Sequence, residues 1–445
     1  MRHPRERRIA PISRREFLQR SAGAAVGVPS LAAIIAACSK PGVTTSTAGK
    51  VGTGGIPGPV YPLARQDKPV TWSVFDDNKP IADNLPIEKG ATLKVYNWSY
   101  YLWTKVLDDF ATKYSQYDIK WEYTKFNNMD NAVAKLNSGQ LKFDVFFPTV
   151  DMLGKLVAAK LVRPLNKSYI PNLAANIWPQ FQSPFYDVKA QYTVPYTVYT
   201  TGIAYRRDAV SDDTIYGMAN PYEILWDPKY TGRVGIYDSY RDALGLALLK
   251  NGVTDVNTED PASIASAGDA LVAMIDAVNV RDEINGAYKL LPEHQFDLHE
   301  SWSGDIAAGW AYTPKYTQAE WDALGYWYPK DRKGMVGNDT LVVPSNAEHP
   351  VLGHLFLDFM LDYANAMENF SYVGYQPPQN QAKPETLTTT TSGYAAHYGT
   401  TYILPTLESA VVRPEDFDLG YQELELSPPT DKLWHDAWQK FKAGA

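Results

Sequence analysis

A single cysteine, Cys38, stands in the whole of this 445-residue chain. No disulfide can form within one copy, so stability must come from the core. Beyond Cys38 no stretch reaches about 18 uninterrupted apolar residues, and no membrane-spanning helix is expected there. The HExxH zinc motif, the GxSxG nucleophile elbow and the GxGxxG dinucleotide loop are all missing. Gly42-Val43-Thr44-Thr45-Ser46-Thr47-Ala48-Gly49-Lys50 has the wrong glycine spacing for a phosphate loop, and Val51 follows the lysine. Basic charge is scarce as well. The formal net charge is −8, and residues 1–37 hold seven arginines against two glutamates, so the remainder carries −13 once that +5 is set aside. An acidic chain fits nucleic acid poorly and draws cations through its long-range field. From residue 92 onward there is no internal repeat and no low-complexity tract.

What the chain does have begins at its N-terminus. A basic segment holds Ser13-Arg14-Arg15-Glu16-Phe17-Leu18, small and apolar residues follow over 22–37, and the run closes with Ile35-Ala36-Ala37-Cys38. That order is the layout of a bacterial export signal. The paired arginines with Phe-Leu resemble a twin-arginine motif. Ile-Ala-Ala-Cys resembles a lipobox, whose cysteine thiolate accepts a diacylglycerol group and becomes the mature N-terminus. The expectation is an exported protein, periplasmic or at the cell surface, anchored by lipid on Cys38, with 1–37 as the signal. Residues 39–60 are Gly, Thr, Ser and Pro in mixed order and read as a tether. Residues 61–90 are polar and proline-spaced, and are expected to run extended over the surface, so that 38–90 precedes the folded body.

From residue 92 the pattern alternates. Strands are expected at 92–98, 119–123 and 143–147, with helices over 102–114 and 129–138. Further strands are expected near 193–195, 202–205, 234–237, 306–311 and 339–343, and helices over 241–250, 262–277 and 352–363. Alternation of this kind implies an α/β fold built of parallel β–α–β units. Open parallel sheets bind ligands at the carboxyl ends of their strands.

Those ends carry rings and carboxylates. Trp98, Ser99, Tyr100 and Tyr101 follow the first strand, and Asp151 follows 143–147. Asp238, Ser239 and Asp242 follow 234–237, Trp310 and Tyr312 end 306–311, and Asp339 opens 339–343. Rings attract an ammonium group through cation–π contact and bury an alkyl chain. The chain has 30 tyrosines and 12 tryptophans to supply such rings. Rings along the walls and carboxylates at the ends suit a linear cation. The same aspartates could equally cap helices, and Trp98 and Trp310 could equally be core. Glu293-His294 and His299-Glu300 could pair on a metal, although such pairs on a polar stretch are more often solvated; no metal site is assigned.

Several segments are similar to the spermidine/putrescine-binding proteins of ABC transporters, from about Leu93 to the C-terminus. Tyr96-Asn97-Trp98-Ser99-Tyr100-Tyr101 resembles the family's first-strand motif. Lys135-Leu136, Phe143-Asp144-Val145 and Pro148-Thr149 resemble its "KL…YDLVVPS" region. Val194-Pro195-Tyr196 with Gly202-Ile203-Ala204-Tyr205 resembles its domain crossover. Leu225-Trp226-Asp227-Pro228-Lys229-Tyr230-Thr231-Gly232 is similar to "LWKPEYKG", Gly374-Tyr375-Gln376-Pro377-Pro378 to "GYPTPN", and Trp438-Gln439-Lys440-Phe441-Lys442-Ala443-Gly444 to the closing segment.

The resemblance implies a type II-like periplasmic-binding-protein fold, with two α/β lobes, each a mainly parallel sheet flanked by helices, and the ligand cleft at the hinge. The lobes would be 91–196 with 338–383, and 197–337 with 384–445. It implies a polyamine ligand held by ring walls at Trp98, Tyr101 and Trp310, a polar contact from Ser99, acids at Asp242 and Asp339, and lining from Tyr375 and Gln439. Asp151 and Asp238 join this set by position. Tyr100, Ser239, Gly337 and Asp151 depart from the family pattern. The implied partners are a membrane permease and its ATPase, with no cofactor, no catalytic residue, no nucleic acid and a monomeric state. Another amine, an amino acid or a sugar on the same fold, or an exported enzyme, are the alternatives.

Overall fold

A computed structural model describes residues 61–444. The export signal, the lipidation at Cys38, the tether over 39–60 and the segment 42–50 lie outside the described residues.

Residues 61–90 form no helix or strand of their own. Two tight turns are closed by bridges between Arg65 and Lys68 and between Phe75 and Asn78. The segment is held by what it packs on. Trp72 Nε1 donates to the carbonyl of Tyr186 at 2.9 Å, and Asn78 Nδ2 to that of Val162 at 2.8 Å. At its start the Tyr61 hydroxyl donates to Glu425 Oε1 at 2.5 Å.

The first sheet joins β1 (Thr92–Trp98), β2 (Lys120–Phe126) and β3 (Val145–Phe146), all parallel, in the order β2-β1-β3. Helices α1 (Thr104–Lys113) and α2 (Met129–Asn137) make the crossovers. Val106, Leu107 and Phe110 put an apolar stripe of α1 into the core. The Asn128 side chain caps α2 by accepting from the amide of Asn131 at 3.0 Å.

The second sheet is larger and mixed. Its seven strands are β4 (Val194–Arg206), β5 (Val234–Ile236), β6 (Arg281–Asp282), β7 (Leu298–Trp302), β8 (Leu324–Trp327), β9 (Met335–Leu341) and β10 (Tyr421–Gln422). The pairs β10–β9, β7–β5 and β5–β6 are parallel. By contrast β4 runs antiparallel to β7, β8 and β9. The segments expected as two strands, near 193–195 and 202–205, are the two ends of the 13-residue β4. The strand expected at 306–311 is a correction: helix α5 (Ser303–Ala308) and a 3-10 turn (Gly309–Tyr312) occupy it. A short, wholly buried apolar run has no polar side to reveal its period.

Packed on the second sheet are α3 (Tyr240–Lys250), α4 (Pro261–Val278) and, from the C-terminus, α8 (Pro428–Gly444). By length and composition α4 could cross a membrane, but Ile264, Ala267, Leu271, Met274 and Val278 face the core shared with Trp434 and Phe441. Two further helices, α6 (Pro350–Leu361) and α7 (Tyr363–Val373), follow β9.

One core gathers Leu93, Val95, Phe110, Val145, Phe356 and Leu357, and takes in Val412 and Phe417 from near the C-terminus. A second gathers Val234, Leu244, Leu271, Trp434 and Phe441. Strand β4 feeds both, with Val194 and Val198 in the first and Ile203 and Tyr205 in the second. The antiparallel pair β4–β9 is therefore the crossover between the two, and it carries the site.

Candidate functional site

The site is built outward from Asp339, which β9 sets opposite Thr197 of β4. Tyr100, at the turn after β1, takes a left-handed φ of 61°. That turn leaves its own ring exposed and sends Tyr101 back into the protein. The Tyr101 hydroxyl donates to Asp339 Oδ2 at 2.8 Å and shares a short hydrogen bond with Thr197 Oγ1. Asp339 Oδ1 is buried without a hydrogen-bond partner. Burial, then the neighbouring charges of Asp151 and Asp242, push the Asp339 carboxyl up to about 7.

Rings enclose this carboxyl. Tyr101 meets Tyr375 edge-on at 4.9 Å between centroids and Tyr196 at 5.2 Å. Tyr199 of β4 meets Tyr375 at 6.0 Å and Trp302 at 6.2 Å. Tyr199 stands across the ladder from Gly337. A Cβ at residue 337 would lie 2.6 Å from the Tyr199 ring, so the glycine makes room for it.

On the other side Trp302, at the end of β7, stacks on Tyr237 at 4.0 Å with planes 20° apart. The Tyr237 hydroxyl accepts from the amide of Trp302 at 2.8 Å and donates to Asp305 Oδ2 at 2.7 Å. Tyr375 donates to Asp305 Oδ1 at 2.5 Å, which ties the segment after α7 to α5. Gly304 permits this, since a Cβ there would sit 2.3 Å from the Tyr375 ring. Burial raises the Asp305 carboxyl to about 7. Asp242, in the first turn of α3, accepts from Trp302 Nε1 at 2.8 Å and Ser239 Oγ at 2.7 Å. Burial raises it too, with Asp151 adding to the effect. Two more acids lie beside Asp242. Glu300 Oε2 accepts from the amide of Tyr237 at 3.1 Å. Glu300 Oε1 and Glu423 Oε1 are buried without partners, and both carboxyls are raised, first by burial and next by Asp242.

The nearby Arg241 guanidinium is held by the carbonyls of Leu424 and Val256 and by Asn257 Oδ1. Among the described residues none of these acids has an ion-pair partner, although the Arg241 charge opposes the rise at Asp242 and Glu423. Burying such groups is costly unless they are neutral or paired. Among the described residues no group of three or more His, Cys, Asp or Glu is arranged to hold a metal ion. A cavity beside Trp72, Gly154 and Glu425 holds about 10 Å³, room for about one water.

The structure brings together Tyr101, Asp151, Asp242, Asp339 and Tyr375. Trp98 and Ser99 stand half-buried at the edge, where Trp98 packs at 4.7 Å on Phe126 and the Ser99 amide donates to the carbonyl of Phe126 at 2.9 Å. Three expected residues lie elsewhere. Asp238 is exposed and pairs with Lys442 at 3.3 Å. Trp310 is core, packed with Trp321 and Tyr398, because its segment is helical rather than extended. Gln439 is exposed on α8, whose inward face is Trp434, Trp438 and Phe441. The ring wall on this side is Trp302. Of the two candidate metal pairs, His294 bonds to Glu320 at 2.9 Å, while His299 and Glu300 are buried on β7. Sequence reasoning missed Trp302, Tyr199, Tyr237, Asp305 and Glu423, and raised Glu300 only as half of a metal pair. The segment Leu298-His299-Glu300-Ser301-Trp302 has no apolar–polar alternation to mark it as a strand.

Two α/β lobes joined by crossover strands, with rings and acids at the junction, are the architecture of a solute-binding protein. The chain belongs to the family of bacterial extracellular solute-binding proteins, whose pattern matches residues 105–409. A protein named spermidine/putrescine-binding periplasmic protein 1, from Haemophilus influenzae, is 24% identical over 294 residues, 66% of this chain and 76% of that one. A putrescine/cadaverine-binding protein of Pseudomonas aeruginosa is 24% identical over 303 residues, 66% of this chain and 80% of the other. The fold is shared with a spermidine/putrescine ABC transporter substrate-binding protein from Streptococcus pneumoniae, at a TM-score of 0.62 and 22% identity over 80% of this chain and 99% of that one.

Proposed function

We propose that this protein is the substrate-binding component of an ABC importer and that its solute is a polyamine. The observation that carries the reading is the Asp339 carboxyl. It is buried among Tyr101, Tyr199 and Tyr375 with one oxygen unpartnered and further acids near it. An ammonium group about 4 Å from one such carboxylate gains roughly 4 kcal/mol at an effective dielectric near 20, before desolvation. A neutral sugar would leave those acids unpaired, and an anion would be repelled. The names of the two relatives above point to the same ligand class.

In this reading the lobes close about β4 and β9 around the ligand, and the closed form docks on the permease. The lobes are taken as 91–196 with 338–383 and 197–337 with 384–445. Ligand favours closure only through contacts made in the closed state. Asp339 and Tyr101 supply them from one lobe, Asp242 and Trp302 from the other. The signal over 1–37 exports the protein and Cys38 anchors it by lipid.

Calorimetric titration of ligand-free protein with putrescine, spermidine and spermine, with glucose and glutamate as controls, tests the proposal. Saturable binding confined to the amines is expected. Heat from glucose or glutamate alone would overturn the ligand class and leave the family assignment standing.

A further inference from the structure

We propose that residues 61–65 are a clasp between the two lobes: fixed to one lobe by the segment that follows and bonded to Glu425 of the other, they favour the closed arrangement and raise solute affinity without touching the solute. This rests on the two-lobe solute-binding reading above and not on which solute is bound. The segment lies ahead of the family pattern, which begins at residue 105.

One end of the clasp is anchored on the lobe taken as 91–196 with 338–383. The Val70 amide donates to the carbonyl of Phe185 at 2.7 Å, and the Val70 carbonyl accepts from the amide of Val188 at 2.9 Å. The Trp72 amide donates to Gln191 Oε1 at 2.8 Å, beside the bond of its indole to Tyr186. Further along, the Glu88 carboxylate accepts from the amides of Val351 and Leu352 at 2.9 and 3.0 Å.

The other end lies on the lobe taken as 197–337 with 384–445. Arg65 Nη2 donates to the carbonyl of Glu425 at 3.0 Å, and the Tyr61 hydroxyl to the carboxylate of the same residue at 2.5 Å. Residues 424–426 are fastened to the second core. Leu426 packs in it, Arg241 of α3 donates to the carbonyl of Leu424 at 2.8 Å, and the Leu424 amide donates to Asn257 Oδ1 at 2.8 Å.

Between the two ends runs the seam. Gly154, in the helix Leu153–Ala158 of the first lobe, faces Glu425 and Tyr61. A Cβ there would strike the Glu425 carboxylate and lie 2.6 Å from the Tyr61 ring. The cavity at this junction is lined by Ala64 and Trp72 of the strap, Leu153 of one lobe and Leu424 of the other, and holds about 10 Å³. The three parts are therefore in close contact. A rotation that opens the lobes carries Glu425 away from Gly154. The strap stays with the first lobe, so Tyr61 and Arg65 lose their partner. Bonds made in the closed arrangement alone shift the balance toward it. The apparent affinity rises with the share of protein in the arrangement that holds the solute.

The test compares the full chain with its variant Tyr61→Ala plus Arg65→Ala. Spin labels at Asp130→Cys and Asp213→Cys, both exposed and one in each lobe, with Cys38→Ser, read the distance between the lobes. Without solute, the clasp variant should show a larger share of the longer distance. In calorimetry with spermidine and putrescine, the amine that binds better should be held at least about fivefold more weakly by the variant. If the double variant does not fold, Arg65→Ala alone is used, with a loss of at least about twofold. Matching distances in the variant and the unaltered protein, or an unchanged affinity, overturns the clasp. If neither amine binds the folded, unaltered protein, the polyamine reading falls and the distance measurement alone decides the clasp.

Discussion

Asp187 and Asp339 are both buried aspartates, and the chain treats them in opposite ways. Asp187 accepts from the amides of Gln191, Tyr192 and Thr193 and from the Thr193 hydroxyl, at 2.8–3.0 Å. Its carboxyl rises to about 6, by burial partly offset by those donors. Asp339 has tyrosine and no backbone donor, keeps one oxygen unpartnered, and rises to about 7. A carboxylate that organises a loop is saturated by that loop. The carboxylate proposed to meet a solute is buried and left open, and the fold bears the cost.

The widest separation between the two should appear in the pH dependence of stability. A carboxyl whose folded value is raised stabilises the fold fully below its unfolded value, and that contribution is lost as pH rises through the folded one. For Asp339 the window runs from about 4 to about 7, and a rise of that size corresponds to about 4 kcal/mol. Urea unfolding of solute-free protein should therefore show stability falling across that window, and Asp339→Asn should make the fall shallower, with Asp187, Asp305 and Glu425 supplying what remains. Equal slopes for the variant and the unaltered protein would erase the distinction. Next in size, Asp187→Ala orphans three backbone donors and should cost about 3 kcal/mol, while polyamine affinity of the folded fraction stays within threefold. Asp339→Asn should do the reverse, weakening polyamine binding at least tenfold in calorimetry with no loss of melting temperature. The smallest effect belongs to Tyr61→Phe, which removes the donor to Glu425. About 1 kcal/mol of stability should go, read by thermal melting, with binding within threefold.

Much of the fold was legible because local signals agree with it. Strands β1 and β2 and helices α1 to α4 sit within a few residues of expectation, although α3 is buried along nearly its whole length. The 306–311 run failed because Ile306, Ala307 and Trp310 are buried on all sides, which removes the polar positions that tell a helix from a strand. That one error moved the tryptophan wall from Trp302 to Trp310. The acids near single strand ends, Asp151, Asp242 and Asp339, were visible from position. Glu423 was not, since it reaches the site from the far end of the chain, beside β10. Asp238 and Gln439 sit at the right point along the sequence and on the wrong side of their elements. Only the packed helix α8, with Lys442 pulling on Asp238, decides that.

The contact between Tyr199 and Gly337 bears on how this site can change over generations. Any larger residue at 337 strikes the Tyr199 ring, while loss of that ring alone opens a hole over a bare backbone. The two positions are therefore coupled: a larger residue at 337 needs the ring at 199 to shrink or move first. A lineage that carries this pair can enlarge residue 337 only together with a change at 199, so the order of substitutions at this wall is fixed by sterics.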